Sequence, residues 1–177
     1  MQTGYSVAVV GATGAVGQEF LRLFTERDFP ITSLKLLASE RSVGKTFTFQ
    51  NKELIVEEAT ASAFEGVDVA FFSAGATRSR SLAPAAVAAG ALVVDNSSAF
   101  RMDPEVPLVV PEVNPQAMGP ETRVIAVPNC TAIILLVAVN PLQSLGKLDR
   151  LIVSTYQSAS GGGAASNCRM LLPATTR

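Results

Sequence analysis

Two short stretches carry residue types that could do chemistry. In "AVPNCTAIILLVAVNP", Ala126 to Pro141, a cysteine stands between a Pro-Asn pair and a long apolar run. In "GATGAVG", glycines fall at 11, 14 and 17. Asn129 is a good helix N-cap, its side chain accepting from the first free N–H groups. Cys130 then sits in the first turn, at the positive end of the helix dipole, where a thiolate is favoured. That placement makes Cys130 a candidate nucleophile. The competing reading is a thiol at the start of a buried helix, acting as a small hydrophobe. The chain has no histidine to move its protons. Cys168 lies in an aperiodic tail, "SNCRMLLPATTR", and is given no role.

The glycine stretch follows "YSVAVV" (Tyr5 to Val10), a short β-branched run of the kind found in strands buried on both faces. It opens "AVGQEFLRLFTER", where Val16, Phe20, Leu23 and Phe24 make a helical stripe. Gly11 allows a tight exit from the strand. Gly14 lets backbone approach a pyrophosphate, and Gly17 permits close packing. The spacing is GxxGxxG rather than GxGxxG, yet the context is that of a dinucleotide site. A plain tight turn is the alternative. An NAD site usually has Asp or Glu at the end of the second strand. Here that strand ends in Ala38 and Ser39, followed by "ERSVG". Ser39, Arg41 and Ser42 suit a 2′-phosphate, which favours NADP, although Glu40 could face a ribose instead. A thiol beside a nicotinamide suggests a thioester linking hydride transfer to acyl transfer.

The elements that must hold these residues alternate. "LKLLAS" (Leu34 to Ser39) predicts a second strand, and "KTFTF" with "ELIVEE" predicts a hairpin-like pair. "VDVAFFSAG" predicts a strand ending in a glycine turn. "RSLAPAAVAAG" predicts a helix closed by Gly90, with Pro84 near its first turn. "ALVVDNSS" is a further strand, then Ser- and Pro-rich linking sequence runs from Ser97 to Pro120. "RVIAV" precedes the cysteine helix, which Pro141 ends. "RLIVSTYQ" predicts one more strand before the loop "SASGGGAAS". The pattern is α/β and doubly wound. A boundary falls near Pro128: residues 1–128 form a first domain, and 129–177 only the start of a second.

Composition narrows the class. The 177 residues are 48% hydrophobic and 16% charged, with a net charge of −1. That leaves no electrostatic footprint for nucleic acid or an anionic membrane. The longest apolar run, Ala132 to Val139, is too short to span a bilayer. The N-terminus lacks a signal-peptide pattern. Two cysteines without CxxC spacing give neither a disulfide scaffold nor a metal site. A reducing cytoplasm is the expected location.

Several segments together resemble aspartate-β-semialdehyde dehydrogenase: "VAVVGATGAVGQEF", "LKLLASERSVGKTF", "FEGVDVAFFSAG", "DNSSAFRMDPEVPLVVPEVNP", "PNCTAI" and "VSTYQSASGGG". They run from Val7 to Gly163. The resemblance implies a Rossmann-like NADP-binding domain followed by the first elements of a truncated α+β catalytic domain. It implies NADPH-dependent reduction of β-aspartyl phosphate to aspartate semialdehyde and phosphate, toward lysine, methionine and threonine. On it, Cys130 is the acyl-accepting nucleophile and Gln157 orients the substrate. Arg101 binds phosphate, and Asn129 lies beside the nucleophile. Gly11, Thr13, Gly14, Ala15 and Val16 hold the pyrophosphate, and Ser39, Arg41 and Ser42 the 2′-phosphate. Ser73, Ala74 and Gly75 line the groove, with Asn96 reaching toward it. Without the resemblance, Arg101 would serve equally as a surface ion-pair partner and Gln157 as a capping amide.

N-acetyl-γ-glutamyl-phosphate reductase shares the cysteine–thioester logic, but "SAFRMDPEVPLVVPEVNP" and "TYQSASG" favour the semialdehyde enzyme. Relatives commonly have "NPNC" where this chain has "VPNC", so Val127 replaces an amide. The family's later part carries a histidine acid/base, an arginine for the substrate carboxylate and most of the interface of its homodimers or homotetramers. After "SGGGAAS" this chain stops tracking the family, which suits a frameshift or truncated gene. The expectation is an NADP-binding module with little turnover by itself.

Overall fold

A computed structural model of the chain describes residues 4–156. It holds a seven-stranded sheet in the order β3-β4-β2-β1-β5-β6-β7. The strands are β1 (Tyr5–Val10), β2 (Ile31–Ala38), β3 (Thr46–Phe49), β4 (Lys52–Glu58), β5 (Val69–Phe72), β6 (Leu92–Asp95) and β7 (Val124–Ala126). Only β3 is antiparallel, paired with β4 through a tight turn in which Gln50 and Asn51 take positive φ. The remaining strands are parallel. Counted in chain order, they stand 3-2-1-4-5-6, the dinucleotide-binding arrangement with its reversal between β1 and β5.

Side chains alternate across each strand, and both faces are apolar, so both need cover. Helix α1 (Ala15–Glu26) covers one face. Its Leu21 and Phe24 pack with Val7, Val9, Leu36, Ala38 and Val56. Phe24 also meets the rings of Phe29 and Phe71 at 5.3 and 5.1 Å between centroids. Helix α2 (Ala76–Ala88) covers the other face. Its small Ala83 and Ala86 let it lie close to Val10, Leu37, Phe72 and Val93, while Phe64 stacks on Phe72 at 5.8 Å. Each fully buried Val, Leu or Phe here contributes about 1.5–3 kcal/mol.

The doubly wound α/β reading therefore holds, with corrections at element ends. β2 starts at Ile31, three residues before the apolar run, because Ile31 and Ser33 pair with Tyr5 and Ser6 of β1. Backbone pairing does not need apolar side chains. α2 starts at Ala76, so Pro84 lies inside the helix rather than near its first turn. The early turns carry no apolar stripe, because the side chain buried there is Ser79. In the linking stretch, Val109 donates to Ala126 O and Ala126 donates to Pro107 O, so 107–109 runs along β7.

Two larger differences lie after Pro128. Helix α3 (Cys130–Val139) forms as expected, but none of its residues is buried. Ile134 is 71% exposed. The segment 151–156, expected as a strand, has no regular structure, and its side chains are exposed. A β-prone sequence becomes a strand only beside a partner that completes its hydrogen bonds. Among the described residues β7 pairs only with β6 and residue 108.

Candidate active site

The candidate residues collect at the carboxyl ends of β1, β2, β5, β6 and β7, the edge where open parallel sheets bind ligands. After β1, Gly11 turns the chain with φ +92. A Cβ there would sit 2.5 Å from Ser73 O, so only glycine lets this turn lie against the end of β5. A Cβ on Gly17 would come within 2.3 Å of Gly11 O, so its close approach is to the turn itself. Gly14 is the N-cap of α1 and supplies no side-chain cap, and the first turn carries no acidic residue. Its leading N–H groups thus point to the edge without an intrahelical acceptor. Ala15 and Val16, also exposed, follow directly. This is the donor set that a pyrophosphate fits.

α2 repeats the device. Gly75, at φ +85, is its N-cap and also provides no side chain, with Ser73 and Ala74 leading in from β5. After β2, Ser39 stands at the N-cap position of a short 3-10 turn, Glu40–Ser42, without a side-chain capping bond, and Arg41 is exposed. Thr13 Oγ1 donates to Ser42 Oγ at 3.5 Å, which joins the glycine turn to this second loop. No acidic residue ends β2; Glu40 is exposed on the turn beyond it.

The cysteine end is built differently. Asn129 is the N-cap of α3, and its Oδ1 accepts from Thr131 N at 3.0 Å and from the Thr131 hydroxyl. Cys130 is the first helical residue and is exposed, with its Sγ 4.0 Å from Asn129 Oδ1. The sulfur is therefore open to a reactant, not sealed in a core. Arg101 is half-buried and braces this turn. Its Nε donates to Val127 O at 2.9 Å, and its Nη2 donates to Asn96 O at 3.1 Å. That differs from a surface ion-pair partner: among the described residues its contacts are carbonyls. Two of its five N–H groups are committed in this way. Gln157 lies outside the described residues.

Sequence reasoning passed over the residues that tie these loops together. Ser79, Asp95 and Ser97 are the buried polar side chains among the described residues, and they form one cluster. Asp95 Oδ1 accepts from Ser79 Oγ at 2.7 Å and from Ser97 N at 3.1 Å, and its Oδ2 accepts from Ser97 Oγ at 2.7 Å. "DNSS" did carry a signal, since an Asp often bonds the backbone two residues on. Nothing local marked Ser79.

A parallel sheet in this strand order, with uncapped glycine-led helix N-termini at its carboxyl edge, defines a dinucleotide-binding domain. Residues 6–120 match the family described as "Semialdehyde dehydrogenase, NAD binding domain", and the chain belongs to that family. It is 53% identical over 164 residues to an aspartate-semialdehyde dehydrogenase of Synechocystis sp., covering 93% of this chain and 48% of the relative. Among solved structures, it is similar to Vibrio cholerae aspartate semialdehyde dehydrogenase II complexed with ASA. There the TM-score is 0.88 at 46% identity, over 92% of this chain and 49% of that one. A Candida albicans aspartate semialdehyde dehydrogenase with NADP matches with a TM-score of 0.67 at 29% identity, over 82% and 48% of the two chains. The chain thus spans about half the length of the curated relatives it matches.

Proposed function

We propose that this chain is the nucleotide-binding, nucleophile-bearing part of an aspartate-semialdehyde dehydrogenase that uses NADP. One observation carries the reading. The exposed Cys130 and the uncapped, glycine-led N-terminus of α1 lie on the same edge of one parallel sheet. The strands that lead to them, β7 and β1, are three ladder steps apart, about 14 Å at the usual spacing. A dinucleotide laid along that edge runs from the glycine turn toward the sulfur.

In this reading Gly11, Thr13, Gly14, Ala15 and Val16 cradle the pyrophosphate, and Ser73, Ala74, Gly75 and Asn96 line the groove. Ser39, Arg41 and Ser42 receive the 2′-phosphate, and the lack of an acid at the end of β2 supports NADP over NAD. The bound nicotinamide supplies a hydride. Cys130 attacks the acyl carbon of β-aspartyl phosphate, forming a C–S bond while the C–O bond to phosphate breaks. Arg101 offers its remaining N–H groups to the departing phosphate. Gln157 orients the acyl group. Reduction of the thioester then frees the semialdehyde and returns the sulfur as thiolate, a step belonging to lysine, methionine and threonine synthesis. Residues 1–128 form the nucleotide domain, and 129–177 begin the catalytic one.

No histidine is present to act as acid/base, and a positioned acid/base is worth about 10²–10⁴ in rate. The 177-residue polypeptide by itself therefore binds nucleotide and accepts an acyl group but turns over little. Fluorescence titration with NADPH and NADH tests the first half. Tighter NADPH binding that Arg41→Ala abolishes is expected; no binding of either nucleotide refutes it. Mass spectrometry after exposure to β-aspartyl phosphate tests the second half. An acyl adduct on the Cys130 peptide, absent in Cys130→Ser, is expected.

A further inference from the structure

Asp95 is 0% exposed, and among the described residues its carboxylate is held by Ser79 Oγ, Ser97 N and Ser97 Oγ. Burying a carboxylate costs several kcal/mol unless its lone pairs are filled, so such a group demands an explanation beyond packing. Its partners come from two different parts of the chain. Ser79 lies in the first turns of α2, and its own N–H donates to Gly75 O. Ser97 lies just after β6, and its Oγ also accepts from Ala99 N at 3.0 Å. Between Asp95 and Ser97 stands Asn96, whose N–H donates to Phe72 O and whose carbonyl takes Arg101. Arg101 in turn holds Val127 O, and Val127 N donates to Asp95 O. The contacts thus run from the N-terminus of α2 to the Asp95 carboxylate and, by way of the Asp95–Asn96 backbone, on to Arg101 and Val127, the residue two before Asn129.

We infer that Asp95 is a positioning residue: with Ser79 and Ser97 it sets the loops after β5, β6 and β7 in register, placing Asn96 against the nucleotide groove and Arg101 against the Cys130 turn. This rests on the nucleotide and nucleophile roles proposed above. Asp95 touches neither ligand. A buried acceptor with three donors fixes these loops, because any displacement leaves a buried polar atom without its partner.

The test uses the full chain and three variants, Asp95→Asn, Ser79→Ala and Ser97→Ala. Two quantities are measured well below each variant's melting temperature: NADPH affinity by fluorescence titration, and the rate of iodoacetamide alkylation at Cys130, resolved by peptide mass. Asp95→Asn keeps size and two acceptor contacts but replaces the oxygen that accepts from Ser97 Oγ, so it tests the hydrogen bonding rather than the packing. In folded variants NADPH affinity is expected to fall by about 3- to 10-fold and the alkylation rate to change by a similar factor, as for other positions inside coupled networks. Ser97→Thr, which keeps the hydroxyl, restores both. If folded variants melt earlier but keep wild-type affinity and alkylation rate, the cluster is structural only and the inference is overturned. If Asp95→Asn does not fold, the serine variants decide by the same readouts. If wild-type chain itself fails to bind NADPH, the nucleotide reading falls, and the alkylation rate alone decides the positioning role.

Discussion

The β1–α1 unit and the β7–α3 unit are assembled alike and end in opposite situations. Each is a parallel strand, a tight turn and a helix starting at the carboxyl edge of the sheet. α1 turns Gly17, Leu21 and Phe24 into the core and leaves charged residues such as Glu19 and Arg22 in water. α3, "CTAIILLVAV", is apolar all round and has no buried residue. One sheet face satisfies an apolar stripe; a helix apolar on every side requires cover on every side. The N-termini differ in the reverse sense. No side chain caps α1, whereas the Asn129 side chain accepts from Thr131 N in the first turn of α3. In the proposed reading, one turn receives an anion and the other presents a side chain.

That contrast can be broken by mutation. The largest effect should come from Phe24→Ala, about 3–5 kcal/mol lost in urea denaturation, because a ring packed among Phe20, Phe29 and Phe71 leaves a cavity. Ile134→Ala on α3 should stay within about 0.5 kcal/mol. Equal losses at the two sites would end the comparison. Gly17→Ala comes next. Its new methyl meets backbone at 2.3 Å, so about 1–3 kcal/mol is lost and NADPH titration should show weaker binding.

Asn129→Ala is smaller, about 1 kcal/mol for a lost cap, read as faster amide exchange at Thr131 with no change in α1. The smallest effect belongs to the exposed pairs on α1, where Arg22 bonds both Glu19 and Glu26. The hydrogen bond from Arg22, followed by its charge, holds the Glu19 carboxyl below the ordinary glutamate range; burial opposes this. A depressed folded value means the contribution is present above the unfolded value and lost as pH falls through the folded one. NMR titration of the Glu19 carboxyl should show the low midpoint, and salt should erase it.

Legibility followed the same divide. β1, the glycine turn and the existence of α1 were readable because each signal is local: a buried β-branched run, glycines at fixed offsets, an apolar period. The expected stripe was displaced, however: α1 buries Gly17, Leu21 and Phe24 and leaves Val16 exposed. The N-cap at Asn129 was readable, its signal being equally local. The start of α2 was not, because its buried side chain is a serine whose partner lies 16 residues away. Nor was the fate of "RLIVSTYQ", whose β-prone residues find no strand to pair with among the described residues. The grip of Arg101 on two carbonyls was equally hidden, since it depends on β6 and β7 lying side by side.

The order of residues alone was enough to specify the alternation of strands and helices, a glycine turn leading into a helix, and a cysteine in the first turn of a capped helix. Each follows from backbone geometry within a few positions. Only the tertiary arrangement decided that Asp95 would be sealed among serines and that Arg101 would brace the cysteine turn. Burial and hydrogen-bond partnership are properties of what the sheet brings together from distant parts of the chain.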